Sequence, residues 1–214
     1  MIAPLRSADE VLRGRSRGRP WWLIVACGAI YGGVMGGFGG LSGDRPWLVA
    51  YAAAKVPLLL LATLALCLPS YFVLSTLLGL RGDFAVALRA VIASQAALAV
   101  ILAALAPLVL VWYASTDAYQ PSILFNAAMF AIASLGGQVL LRRAYRPLIA
   151  RTPRHRLMLR AWVGIYAFVG IQLGWTLRPF LGAPGEPARF FRGGDWESAY
   201  VIVARMIWRV VAGP

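Results

Sequence analysis

The chain has 214 residues, 60% of them hydrophobic and 14% charged, with 21 Lys+Arg against 8 Asp+Glu for a net charge of +13. A soluble domain carries about 25% charged residues and a disordered chain is poor in hydrophobic ones, so both classes are excluded. The length holds about five stretches of the ~20 apolar residues that a bilayer span needs, and the chain reads as a small all-α polytopic membrane protein.

Every basic residue except Lys55 is an arginine, a bias that suits a bacterial origin. The arginines gather at the ends of apolar runs, where topology places them. No soluble surface interleaves them with aromatic residues, so the implied partner is anionic lipid and not nucleic acid. Cys27 and Cys67 lie inside apolar stretches, without the spacing of a metal site or redox pair. The first apolar run lacks a signal-peptidase exit and reads as a retained span.

Residues 1–19 form a polar arm with Arg6, Arg13, Arg15, Arg17 and Arg19. It reads as a topogenic anchor, with a lipid- or partner-binding arm as the sharper alternative. The membrane domain covers 20–181. Its first span is expected from Pro20 to Gly40, opened by Trp21 and Trp22 at the interface. Gly28, Gly32, Gly36 and Gly40 recur at four-residue steps, leaving one helix face nearly free of side chains for a close neighbour. That neighbour is a helix of the same chain or a second subunit.

After a turn at Ser42–Pro46, the run from Trp47 to Leu80 is ~51 Å long as a helix, more than the ~30 Å hydrocarbon core. We expect Trp47–Ala54 near the interface and the span from Val56 to Leu78, kinked at Pro69. Lys55 then lies at the outer headgroups and snorkels. The third span is expected over Phe84–Tyr113, the fourth over Ser122–Leu141, followed by a basic loop to Arg160, and the fifth over Ala161–Leu177. With the N-terminus in the cytoplasm, 14 basic residues fall inside and 7 outside, as the positive-inside rule requires. This predicts a bacterial inner-membrane protein with its C-terminus outside. The tail, 182–214, reads as a Gly/Pro-rich loop. An amphipathic helix follows over Trp196–Val211, capped by Asp195 and lying at the interface or against a partner.

All eight carboxylates fall outside the spans, so no acid pair or proton relay is predicted. His155 is the only histidine and reads as a solvated loop residue. No ATP-binding loop occurs. The chain is therefore expected to be non-catalytic, with no cofactor and no metal. Ser94, Gln95, Asn126, Ser134, Gln138 and Gln172 are the polar residues within spans. They read as interhelical packing bonds, or as the lining of a polar path between the third, fourth and fifth helices. Gly170 and Gly174 add a second glycine step. The contact surface for lipid or a partner is assigned to Lys55, Trp175, Arg178, Arg189, Arg192, Arg205 and Arg209.

Five spans, a polar N-terminus and very short loops between Trp21 and Arg178 resemble the Yip-like family of bacterial integral membrane proteins. The D-L-Y-G-P-type motif of the eukaryotic members has no counterpart, since the nearest run, Lys55-Val56-Pro57-Leu58, does not match it. The Lys55–Arg81 and Gly170–Phe180 stretches are similar to those of other bacterial membrane proteins. The resemblance implies membrane organisation or partner recruitment and carries no catalytic residues. The leading expectation is a scaffolding subunit that packs with partner membrane proteins or with itself. The alternative is a transporter or permease component.

Overall fold

Long runs of Leu, Ala and Val in lipid leave the backbone one local way to satisfy its amides, the α-helix. The computed structural model describes residues 21–40, 45–182 and 189–191, and its elements there are all helical. They are α1 (Trp21–Gly36), α2 (Arg45–Leu77), a 3-10 turn (Arg81–Asp83), α3 (Phe84–Ser115), α4 (Tyr119–Arg151) and α5 (Arg154–Thr176). The polar arm, residues 42–44, the Asp195 cap, the Trp196–Val211 helix and Arg192, Arg205 and Arg209 lie outside the described residues. Helices α2 to α5 are long and apolar enough to cross a membrane, and α1 is a shorter apolar helix. Large apolar side chains face outward on every long helix, among them Leu66, Leu110, Leu124, Leu135 and Phe168. This is a polytopic helical membrane protein.

Two expected boundaries move. Helix α2 is a single helix of 33 residues that runs through both Pro57 and Pro69, so Trp47–Ala54 continues the helix. Helix α4 also has 33 residues and ends at Arg151, which reduces the expected basic loop to the turn at Thr152-Pro153. Each is ~50 Å long and overruns a ~30 Å core. Pro147 lies on an exposed face of α4, where water can reach the carbonyl that it leaves unpaired. Helix α2 closes with Leu80 N–H on the Ser75 carbonyl at 2.7 Å and Gly79 N–H on Thr76 at 3.0 Å. Gly79 supplies the positive φ (+70°) that this helix ending demands.

The helices form a ring in the order α5–α2–α1–α3–α4, with α4 returning to α5. Helices α2 and α3, adjacent in the chain, scarcely meet, because α1 lies between them. One apolar cluster joins α1 to α2, α3 and α4 through Ile24, Tyr31, Val56, Leu102 and Met129. A second joins α2, α3, α4 and α5 through Cys67, Tyr71, Val91, Tyr145 and Trp162. Lipid tails are as apolar as these side chains, so close van der Waals packing and hydrogen bonds must hold the ring.

Glycine makes the tightest seam possible. A β-carbon at Gly32 would overlap the Ala52 carbonyl oxygen of α2, and one at Gly36 would lie 2.7 Å from the Leu48 carbonyl oxygen. At Gly28 it would stand 3.2 Å from the backbone of Pro57. The neighbour on the glycine face is thus the chain's own α2. Gly33, one position around, has only side-chain neighbours at 3.9 Å or more. Gly40, expected to extend the row, lies past the end of α1 at φ +92° with nothing within 4 Å. Gly170 meets the Thr63 methyl at 3.5 Å, whereas Gly174 has nothing within 4 Å and does not continue that step.

Gly32→Ala is expected to lower stability by about 1–3 kcal/mol through overpacking against backbone that cannot yield. Gly33→Ala, on the same helix, is expected to be neutral or to gain up to about 1 kcal/mol from helix propensity. Thermal denaturation of the two detergent-solubilised variants checks the contrast.

Candidate functional site

Lys55 departs furthest from expectation. It does not snorkel: its side chain is fully buried, and Nζ donates to the Pro179 carbonyl at 2.6 Å. The rings of Phe180 and Phe190 stand 5.9 and 5.0 Å from the ammonium, and Tyr51 meets Phe190 edge-on at 5.5 Å. The reason is rotational, since Lys55 lies on the side of α2 covered by the chain that leaves α5. Pro179 lies beyond the last turn of α5, so its carbonyl is open to a donor from another helix. A carbonyl and two ring faces replace part of the cation's hydration. No carboxylate pairs with it among the described residues.

The rest of the expected contact surface divides. The Arg178 guanidinium lies on the Trp175 ring, 3.2 Å from its centroid, and both side chains are half-buried. Arg189 is exposed next to Phe190, which covers Lys55.

The amides within the spans serve different neighbours. Asn126 knits three helices: Oδ1 accepts from Tyr31 of α1 at 3.0 Å, and Nδ2 donates to the Tyr113 hydroxyl of α3 and to its own helix's Ser122 carbonyl, both at 2.8 Å. Tyr113 passes the chain on to the Met35 carbonyl at 3.3 Å. Gln95 of α3 accepts from Tyr166 of α5 at 2.6 Å. The Ser94 hydroxyl donates within its helix to Val91 at 2.7 Å. Gln138 keeps Oε1 buried without a hydrogen-bond partner among the described residues. Gln172 accepts at its backbone carbonyl from Thr176. Asn126 and Gln95 therefore bond to separate tyrosines.

At the opposite end, His155 is not a solvated loop residue. It is buried in the first turn of α5, with Nε2 3.0 Å from Asp83 Oδ2 in the 3-10 turn and its ring against Tyr145. Arg154 beside it donates to the Leu78 carbonyl at 3.3 Å. Deeper in, the hydroxyls of Tyr71 and Tyr145 join α2 to α4. Their tyrosines sit in otherwise apolar runs and carry no sequence signal of pairing.

One feature at this end emerges only with the fold. Arg142 and Arg146, one turn apart on α4, face Arg156 and Arg160, one turn apart on α5, around a cavity of about 590 Å³. Its apolar wall is Ile149, Leu159 and Val163. The two four-residue spacings were visible in the sequence, but only a helical reading of residues 142–160 turns them towards each other. No group of metal-binding side chains occurs among the described residues.

Asn126→Leu is expected to cost about 1–2 kcal/mol, because it leaves Tyr31 and Tyr113 without their shared partner in a region poor in water. Tyr166→Phe is expected to cost about 1–3 kcal/mol by orphaning Gln95 Oε1. Denaturation midpoints in detergent measure both. Lys55→Met is expected to leave the bundle's midpoint nearly unchanged while amide exchange rises across residues 178–182.

No protein-family model matches the chain, and neither the curated proteins nor the solved structures contain a match to it.

Proposed function

We propose that this membrane protein is a non-catalytic scaffold on which partner membrane proteins assemble, embedded in a bacterial inner membrane with its arginine-rich end in the cytoplasm. The observation that carries this reading is how the polar groups inside the bundle are used. Asn126, Gln95, Tyr71 and Lys55 each bond to another helix or to the segment after α5. A polar path would instead need such groups lined up and open to solvent. The Yip-like resemblance in span number and loop length leads in the same direction, towards membrane organisation. The glycine face of α1 is occupied by α2, and we place the partner surface at the outer end, where Arg189 is exposed.

Extraction from native membranes in mild detergent, with mass determination and identification of co-eluting proteins, tests this. A complex larger than the monomer, containing a second membrane protein in fixed ratio, is expected. Arg189→Glu, at an exposed side chain, is expected to weaken retention of that protein while the denaturation midpoint holds. A solitary chain that carries a substrate-dependent flux in liposomes, lost on substitution of Gln95 or Asn126, overturns the reading.

A further inference from the structure

The four arginines around the α4–α5 cavity are more than topogenic charge. Among the described residues, nine arginines at this end of the bundle are exposed, yet only Arg142, Arg146, Arg156 and Arg160 line the cavity. None of the four makes an ion pair among the described residues, and the Asp83 carboxylate pairs with His155. Four guanidiniums around one space repel one another unless an anion joins them, and planar guanidinium forks match phosphate oxygens in two-bond pairs.

Depth narrows the class of anion. Arg142 is the first charged residue of α4 and Arg160 the last of α5, so the cavity straddles the level at which each helix passes from uncharged to charged sequence. Its wall of Ile149, Leu159 and Val163 is apolar, which a fully hydrated soluble anion does not need. Further into the span, Leu135 and Val139 of α4 and Phe168 and Ile171 of α5 are exposed. The α4–α5 seam is also the most open in the ring. A basic pocket between spans at the headgroup level, with apolar faces continuing along both helices, suits a phospholipid and not a free phosphate.

The geometry points to a site for one anionic phospholipid, its phosphate held by the paired guanidiniums of Arg142/Arg146 and Arg156/Arg160 and its acyl chains lying along α4 and α5. Two guanidinium pairs suit a headgroup with two phosphates, so cardiolipin is the probe of choice. The inference is independent of the scaffold reading, because it concerns the opposite end of the bundle and no protein partner.

The test is native mass spectrometry and thermal shift of the full chain in neutral detergent, titrated with cardiolipin, phosphatidylcholine or inorganic pyrophosphate. One cardiolipin is expected to bind and raise the midpoint, with phosphatidylcholine inert. R142Q/R146Q and R156Q/R160Q are each expected to weaken cardiolipin binding about tenfold or more. R143Q/R151Q, which removes the same charge from α4 outside the cavity, is expected to change it less than about twofold. R142K/R146K, which keeps charge but loses the fork, is expected to recover part of the affinity. Equal loss in the cavity and control pairs, or binding that does not distinguish cardiolipin from phosphatidylcholine, overturns the proposal. So does saturable pyrophosphate binding that cardiolipin fails to displace, which makes the ligand a soluble phosphate compound.

Discussion

The approach of α1 to α2 governs where the remaining helices can go. In lipid, two apolar helices gain little merely by meeting, so the attraction must come from how near the backbones come. Gly32 and Gly36 remove the side chains that would stand between α1 and the carbonyls of Leu48 and Ala52. With α1 seated there, α3 packs against α1 and barely against α2, although only a short turn separates α2 from α3. Tyr31, on the same helix as the glycines, then reaches Asn126 of α4. The glycine seam and the polar knot at Asn126 are two consequences of one helix placement.

Charge is distributed with the same economy. The exposed arginines crowd one end of α4 and α5, and α4 is longer than the ~30 Å that a hydrocarbon core requires. Among the described residues two basic side chains are buried, and each is met by a segment distant in sequence: Lys55 by Pro179, and His155 by Asp83. Both contacts pin a connecting segment to the helix that it must cross. The buried cation is thus a fastening for the chain beyond α5, and the buried imidazole fastens the turn between α2 and α3 to the start of α5.

Much of this architecture is legible in the chain itself. Apolar run length locates all five helices, and the four-residue glycine step picks out the face of α1 that comes close to a neighbour. Periodicity says which face is bare and not which helix fills it, so the neighbour stayed open. The sequence misplaces Lys55 because distance from the end of a run locates depth along the axis, whereas snorkelling depends on rotation about it. Residues 142–160 read as loop because charge and proline end a membrane span, but they do not end a helix that continues into water. With that stretch unwound, the spacing of Arg142, Arg146, Arg156 and Arg160 has no geometric meaning, and the cavity is invisible.

The ring order also bears on how the chain can be made. Emerging from the ribosome, α2 finds α1 already in place, α3 finds α1, and α4 finds α3, so every early arrival has a partner waiting in the bilayer. Helix α5 alone must meet one old neighbour and one new, closing the circle between α2 and α4. It also brings Tyr166 to Gln95, and the segment behind it brings Pro179 to Lys55. Until translation reaches that point, an amide and an ammonium remain uncovered in the growing bundle. An unfinished or stalled chain therefore carries a polar mark that the finished one conceals, which gives membrane quality control a physical basis for telling the two apart.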